Sequence, residues 1–292
     1  MKKTTMLRNA LKENPLTVTA GAYDALSAKV IEYAGFEAAL LSGFGFEASL
    51  LGKPDVGLLT LNEVVNHARN IAAAVDIPLL ADAEAGYGGP GNLQRTVQEF
   101  ERAGVAGIFI EDQVYPVFCG TLKKFKKIVT LDDMVTKIKC ALDAREDPEF
   151  LIAARTDADI VSLEEQIKRC LAYREAGADM VTAFPQNREE FQTLAKEVDA
   201  PLWLYLGAIM DITPKELEDM GIRGLVVYPV EPLFAATQAM MDLMVELKNK
   251  GTVRETFERL NILDYRKFFS LMGLRECITL DQAFPFTSPE KC

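Results

Sequence analysis

The chain has 292 residues, 49% of them hydrophobic, and a net charge of −11, which argues against nucleic acid as its main partner. No apolar run reaches the ~18 residues that would cross a bilayer, and the opening residues MKKTTMLRNALKENP lack the apolar core of a secretory leader. Five scattered cysteines without CxxC spacing suit reduced thiols and a cytoplasmic setting rather than a disulfide framework.

Short apolar runs recur in chain order at 16–20, 38–43, 78–85, 107–113, 150–158, 180–185, 201–207 and 224–229. Amphipathic stretches such as YDALSAKVIEYAG, NLQRTVQEFERAG, LEEQIKRCLAYREAG and TPKELEDMG lie between them, and several end in glycine, as helix C-termini do. Runs with so little polar alternation suit parallel strands covered on both faces. The succession predicts an α/β fold, a (β/α)₈ TIM barrel, with a doubly wound open sheet as the second reading. No glycine-rich phosphate fingerprint follows the first strand, which weighs against a dinucleotide site. We read 1–292 as one barrel domain, with 232–292 as a C-terminal helical extension that caps the barrel or packs on a neighbouring subunit. The single histidine, His67, excludes a multi-histidine zinc centre and reads as an ordinary helix residue.

Chemistry in such a barrel gathers at the C-terminal ends of the strands. Those ends carry Ser42-Gly43-Phe44, Asp82 and Glu84, Glu111 and Asp112, then Arg155, Thr156 and Asp157, with Asp55 in the loop LGKPDVG. Asp82 and Glu84 are two apart, so on a continuing strand they share a face. Carboxylates converging on one mouth repel, and a hard divalent cation, Mg²⁺ or Mn²⁺, relieves them. Helix caps and loop anchors explain any one of these acids as well, but explain four at successive strand ends poorly. Arg155 reads as the holder of a substrate carboxylate or a developing enolate, or as a buried partner of Glu111 or Asp157, or both. The Ser42-Gly43 turn offers amides to a carboxylate. The lysines at 123, 124, 126 and 127 read as a solvated loop.

Six motifs in order, AGAYDALSAKV (20–30), LSG (41–43), GKPDVG (52–57), ADAEAGYGG (81–89), IEDQ (110–113) and ARTDA (154–158), make the chain resemble the isocitrate lyase / phosphoenolpyruvate mutase superfamily. The resemblance implies a barrel using Mg²⁺ (or Mn²⁺), chemistry through the enolate of a 2-oxo acid, and a homodimer or homotetramer with a helix swapped between subunits. It implies Asp82 as the direct metal ligand, with Glu84, Glu111 and Asp55 acting through waters. Arg155 and the amides of Ser42, Gly43 and Phe44 would bind a small carboxylate substrate, and Tyr23 and Asp24 would line the mouth, Tyr23 as a candidate base. In the family's carbon–carbon lyases, a loop Lys-Lys/Arg-Cys-Gly-His follows IEDQ, and its cysteine protonates the leaving carbon. Here the loop reads Val117-Phe118-Cys119-Gly120-Thr121, which keeps the cysteine and loses the basic residues and the histidine. Gln186 stands where those lyases carry an acid, and Leu204 or Tyr205 stands near their asparagine. The expectation is a Mg²⁺-dependent lyase of 2-methylisocitrate or 2,3-dimethylmalate type, with Cys119 as acid. The alternatives are a phosphonopyruvate or carboxyphosphonoenolpyruvate mutase, an oxaloacetate decarboxylase or hydrolase, and a non-catalytic acid-binding barrel.

Overall fold

The computed structural model describes residues 1–207 and 210–284; Cys292 and the last part of the expected extension lie outside the described residues. Contacts group the chain into two compact units, Met1–Phe234 and Ala235 onward. In the first unit every expected run forms a strand: β1 (Leu16–Ala22), β2 (Ala39–Leu41), β3 (Leu79–Asp82), β4 (Gly107–Glu111), β5 (Leu151–Arg155), β6 (Met180–Thr182), β7 (Leu202–Tyr205) and β8 (Gly224–Tyr228). Neighbours pair in parallel and β1 pairs with β8, so the sheet closes as a TIM-like barrel in sequence order. Gly224 starts β8 at φ 127°, where a Cβ would lie 2.2 Å from the Leu202 carbonyl oxygen, so only glycine lets β8 approach β7 there.

Both faces of each strand are buried, and the side chains alternate between two cores. Outward residues such as Leu41, Leu79, Ile108, Ile110, Ile152 and Val226 pack under the surrounding helices. Inward residues Leu40, Leu80, Phe109, Leu151, Ala153, Met180, Trp203 and Leu225 fill the barrel, joined by Leu7 from the helix Lys3–Glu13. Each large apolar side chain buried this way contributes roughly 1.5–3 kcal/mol. Trp203 and Phe109 meet edge-to-face at 5.2 Å, which makes the barrel interior a filled core and not a pore.

The second unit is helical, with Glu231–Lys250 running into it, then Arg254–Leu260, Tyr265–Leu271 and Leu274–Ala283. Glu246 accepts from the amides of Glu255 and Thr256 at 3.0 and 2.7 Å and so fixes the start of the second of these helices. Met240, Met241, Met244, Phe257, Phe268 and Phe269 are exposed. Among the described residues, no helix is long and apolar enough to cross a membrane.

A cleft of about 630 Å³ opens at the N-terminal end of β5–β8 in the first unit. Of its five cations, Lys12, Arg174 and Lys196 each sit in the last turn of a helix, where a positive charge offsets the helix dipole, and Arg8 pairs with Asp179 at 2.9 Å. The carboxylates singled out in the sequence gather at the opposite end.

Candidate active site

Above the apolar interior the same inward positions turn polar. Carrying the alternation one step along β3 to β7 brings in Asp82, Glu111, Arg155, Thr182 and Tyr205. In the sheet register Glu111 lies beside Arg155, and Arg155 beside Thr182. Asp112, one residue beyond Glu111, points the other way. It accepts from Tyr173 Oη (2.6 Å), Thr156 Oγ1 (2.7 Å), Asp157 N (2.8 Å) and Arg169 Nη1 (2.9 Å), so it anchors the wall and takes no part in the mouth.

Asp82 and Glu84 do meet, though by a turn and not along a strand. The strand ends at Asp82, and Glu84 adopts a left-handed backbone (φ 52°). Its amide donates to Asp82 Oδ1 at 2.8 Å. Ser42 is the N-cap of the helix Gly43–Leu51, which aims its first amides at this point, and the Gly43 amide donates to Asp82 Oδ2 at 3.0 Å. A Cβ on Gly43 would lie 2.8 Å from Asp82 Oδ2 and 3.2 Å from Glu84 Oε1, so a side chain there would push the two carboxylates out of place. Phe44 follows Gly43 in the same turn and meets Phe234 edge-to-face at 5.6 Å. The loop bearing Asp55 is held by Glu47, fully buried, whose carboxylate accepts from the amides of Val56 (2.9 Å) and Leu58.

Arg155 is the buried partner of both Glu111 and Asp157, one of its two sequence readings. Its Nη1 meets Glu111 Oε2 at 3.1 Å, and its Nη2 donates to Asp157 Oδ1 at 2.9 Å. The guanidinium lies 5.0 Å from the Phe184 ring and 5.6 Å from the Phe109 ring. The lysine cluster departs from the solvated-loop reading. Lys126 is buried on Asp157 and Asp159, and Lys123 pairs with Asp159 at 3.0 Å.

Cys119 lies in the excursion after β4. Its amide donates to the Asp55 carbonyl at 3.1 Å, and its thiol lies 3.4 Å from Thr121 Oγ1. Gln113 holds this excursion in shape, bonding both the amide and the carbonyl of Phe118 at 3.0 Å. Tyr23 and Asp24 stand at the end of β1. The Asp24 carboxylate accepts from the Ser27 amide at 2.7 Å as a helix N-cap. The Tyr23 carbonyl accepts from Ser49 Oγ and faces His67 Nε2 at 2.7 Å, which gives the sole histidine a structural partner. Gln186 is exposed and turned back on the Phe184 carbonyl at 2.6 Å.

Burial and mutual repulsion shape the titration of these acids. Burial pushes Asp55 up to about 7, with Asp82 adding to the rise and Arg155 opposing it. Burial also lifts Asp82 to about 6 against the pull of Arg155 and the two amides. Glu84 and Glu111 are held well above the usual carboxylate range, first by burial. Glu111 Oε1 is buried without a hydrogen-bond partner. Among the described residues no three Asp, Glu, His or Cys side chains make a site of direct ligands. The set instead fits one direct carboxylate with its neighbours reached through water, the way Mg²⁺ keeps part of its hydration shell. Asp82, Glu84, Glu111 and Asp55 would hold the ion.

A pH dependence follows. Folding favours the protonated forms of Asp55 and Asp82, so that contribution is full below their ordinary value near 4. It is lost as pH rises through about 6 to 7. A divalent cation removes the penalty by binding the ionised acids. Millimolar Mg²⁺ or Mn²⁺ is therefore expected to raise the melting temperature by about 5 °C at pH 8 and by almost nothing at pH 5. Scanning fluorimetry across that range checks it; an equal shift at both pH values argues against the cation at these acids.

The sequence reading misses Glu47 and Tyr87, takes Lys126 for a solvated residue, and names Tyr205 only as a departure near the family's asparagine. Tyr87 and Tyr205 put buried, unpartnered hydroxyls near the carboxylates, and both phenols are pushed well above their ordinary value, first by burial. Strand alternation carried one step beyond Trp203 would have found Tyr205. Glu47 and Lys126 carry no such signal: Lys126 lies in a lysine-rich stretch that also fits a surface, and Glu47 is a lone acid in the apolar helix Gly43–Leu51.

A family profile named phosphoenolpyruvate phosphomutase matches residues 7–248. The chain is 40% identical over 287 residues to a 2,3-dimethylmalate lyase of Eubacterium barkeri, covering 94% of this chain and 96% of that one. It superposes on a crystal structure of 2,3-dimethylmalate lyase with a TM-score of 0.87 and 33% identity, covering 100% of this chain and 99% of that one. It also superposes on phosphonopyruvate hydrolase bound to oxalate and Mg²⁺ with a TM-score of 0.88 and 28% identity, covering 97% and 99%.

Proposed function

The chain belongs to the isocitrate lyase / phosphoenolpyruvate mutase superfamily, and from that premise we propose that it is a Mg²⁺- or Mn²⁺-dependent carbon–carbon lyase. Its substrate is a 2-hydroxy acid with two or three carboxylates, of 2,3-dimethylmalate or 2-methylisocitrate type, and pyruvate or a related 2-oxo acid is one product. The observation that carries this reading is the tie of Cys119, through its amide, to the Asp55 carbonyl at the edge of the carboxylate cluster.

The surroundings favour the dicarboxylate. The cations nearest the mouth already have partners, Arg155 and Lys126 on Asp157, and Lys123 on Asp159. Aromatic pairs replace free charge there: Phe184 stacks on Tyr205 at 5.5 Å, and Phe118 on Phe125 at 5.7 Å. A third carboxylate meets few unmatched cations, while a methyl-bearing carbon meets rings.

Bound metal would supply Lewis-acid polarisation of the substrate's oxygens. Arg155 takes a carboxylate oxygen, and the amides that follow Gly43 in the first turn of the helix Gly43–Leu51, the Gly43 amide itself being held by Asp82, face the other carboxylate end. Burial, and then Asp24, hold the Tyr23 phenol above its ordinary value, so it keeps its proton and donates to a substrate oxygen; the hydroxyl proton leaves to water. The bond between the hydroxyl-bearing carbon and its neighbour then breaks, its electron pair passing to that neighbour. Cys119 donates its proton to that carbon.

A second reading within the superfamily is a mutase, hydrolase or oxaloacetate decarboxylase. The absence of basic residues beside Cys119, and Gln186 turned onto the Phe184 carbonyl, favour it. A pyruvate-release assay with Mg²⁺ separates the two across 2,3-dimethylmalate, 2-methylisocitrate, isocitrate, oxaloacetate and phosphonopyruvate. Release from a branched hydroxy acid is expected. Release from oxaloacetate or phosphonopyruvate alone moves the assignment to the second reading. We also propose a homodimer or homotetramer built through the C-terminal helices, supported by the exposed Met240, Met244, Phe268 and Phe269.

A further inference from the structure

The excursion between β4 and the helix Leu131–Ala144 is clipped at its base. Val114 N bonds the Lys127 carbonyl at 2.7 Å, and Val129 N bonds the Asp112 carbonyl at 2.8 Å. From there it rests on the mouth at two places. On one side Tyr115 Oη donates to the Gly57 carbonyl at 2.9 Å, and the Cys119 amide donates to the Asp55 carbonyl at 3.1 Å. On the other side Lys126 reaches Asp157 Oδ1 and lies 3.3 Å from Asp159 Oδ1, its side chain fully buried and 5.4 Å from the Phe184 ring. Its neighbours Phe125 and Lys127 are exposed, so the chain sends this one ammonium inward. Burying an ammonium costs stability unless it is matched, and an apolar side chain would anchor a loop without that cost.

Charge matching supplies the reason. Asp157 Oδ1 accepts from both Lys126 Nζ and Arg155 Nη2. Without Lys126, two carboxylates, Glu111 and Asp157, would face one guanidinium, and the cluster would repel an incoming anion. With Lys126 seated, the two acids face two cations. Asp159 does not upset this balance, because Lys123 matches it at 3.0 Å. We propose that Lys126 is a positioning residue: seated on Asp157, it shares that carboxylate with Arg155 and leaves the guanidinium available to the substrate's anionic end. The idea rests on Arg155 binding that end, as in the function proposed above, and on no particular bond being cleaved.

The test needs no turnover. Titration calorimetry measures oxalate, with Mg²⁺ present, and Mg²⁺ alone on the full-length protein. Lys126→Met is expected to weaken oxalate tenfold or more, because one charge a few ångströms away is lost in a low-dielectric site. The same change leaves Mg²⁺ binding unweakened, since the site becomes more negative. Lys126→Arg keeps the charge and restores oxalate affinity to within about threefold of wild type, and Lys127→Met on the exposed side of the excursion changes it by less than about threefold. Should Lys126→Met not fold, Lys126→Gln keeps a donor to Asp157 without the charge and carries the same comparison. Wild-type oxalate affinity in the uncharged variant overturns the proposal. So does a parallel loss of oxalate and Mg²⁺, which would mark Lys126 as an anchor only. Absence of lyase turnover from every substrate, with the oxalate pattern intact, would sink the function and leave this inference standing.

Discussion

Asp82→Ala is expected to abolish Mg²⁺ binding and to lower turnover by about 10³-fold or more. The size follows from the several kcal/mol of charge stabilisation that a metal Lewis acid contributes, at roughly 1.4 kcal/mol per factor of ten. Asp82 is the acid toward which the site is organised, because the Gly43 and Glu84 amides both bond its carboxylate and Glu84 lies beside it. Loss of the fold is a poor explanation for such a result, and the sign of the Asp82 shift says why. Burial raises Asp82 to about 6, so at pH 8 its ionised form costs the metal-free protein stability. The variant should therefore melt no lower than wild type at pH 8 without metal, while losing the Mg²⁺-induced rise. Calorimetric titration and melting curves check both halves, and full activity in Asp82→Ala ends the metal assignment.

The barrel was legible because its strands announce themselves. Runs buried on both faces need no pattern beyond apolar length, and all eight appear where the sequence places them. The acids at the strand ends were legible for the same reason, since a polar residue directly after an apolar run marks where a strand leaves the core. What sequence could not show is which acids turn inward. Glu111 and Asp112 look equivalent in the chain, yet one meets Arg155 and the other is consumed by Tyr173, Thr156 and Arg169. Strand parity decides it, and parity needs the exact strand end. Asp82 and Glu84 were paired for a reason that does not hold, as the left-handed turn at Glu84 shows. Lys126 was opaque because its burial depends on Asp157, 31 residues further along the chain.

Cys119→Ser tests the chemistry itself. Serine keeps the shape and is a far weaker acid, so if Cys119 protonates the leaving carbon, kcat should fall about 10²-fold or more, the range a positioned acid contributes. KM and oxalate affinity should stay within about threefold of wild type, because the metal acids, Arg155 and the Gly43 amide are untouched. The missing basic residues bear on this role. Flanking cations make a cysteine a readier proton donor, and their loss here is what favours the second reading. What Cys119 keeps is placement, and the bond from its amide to the Asp55 carbonyl ties that placement to the metal-side loop. Steady-state kinetics on the best branched hydroxy acid, with oxaloacetate as the control, separate the outcomes. A fall confined to the hydroxy acid supports the lyase and its acid. Unchanged turnover on both would make Cys119 a passenger and move the proton source to another donor over the mouth, with Tyr205, whose hydroxyl is buried without a hydrogen-bond partner, the next residue to replace.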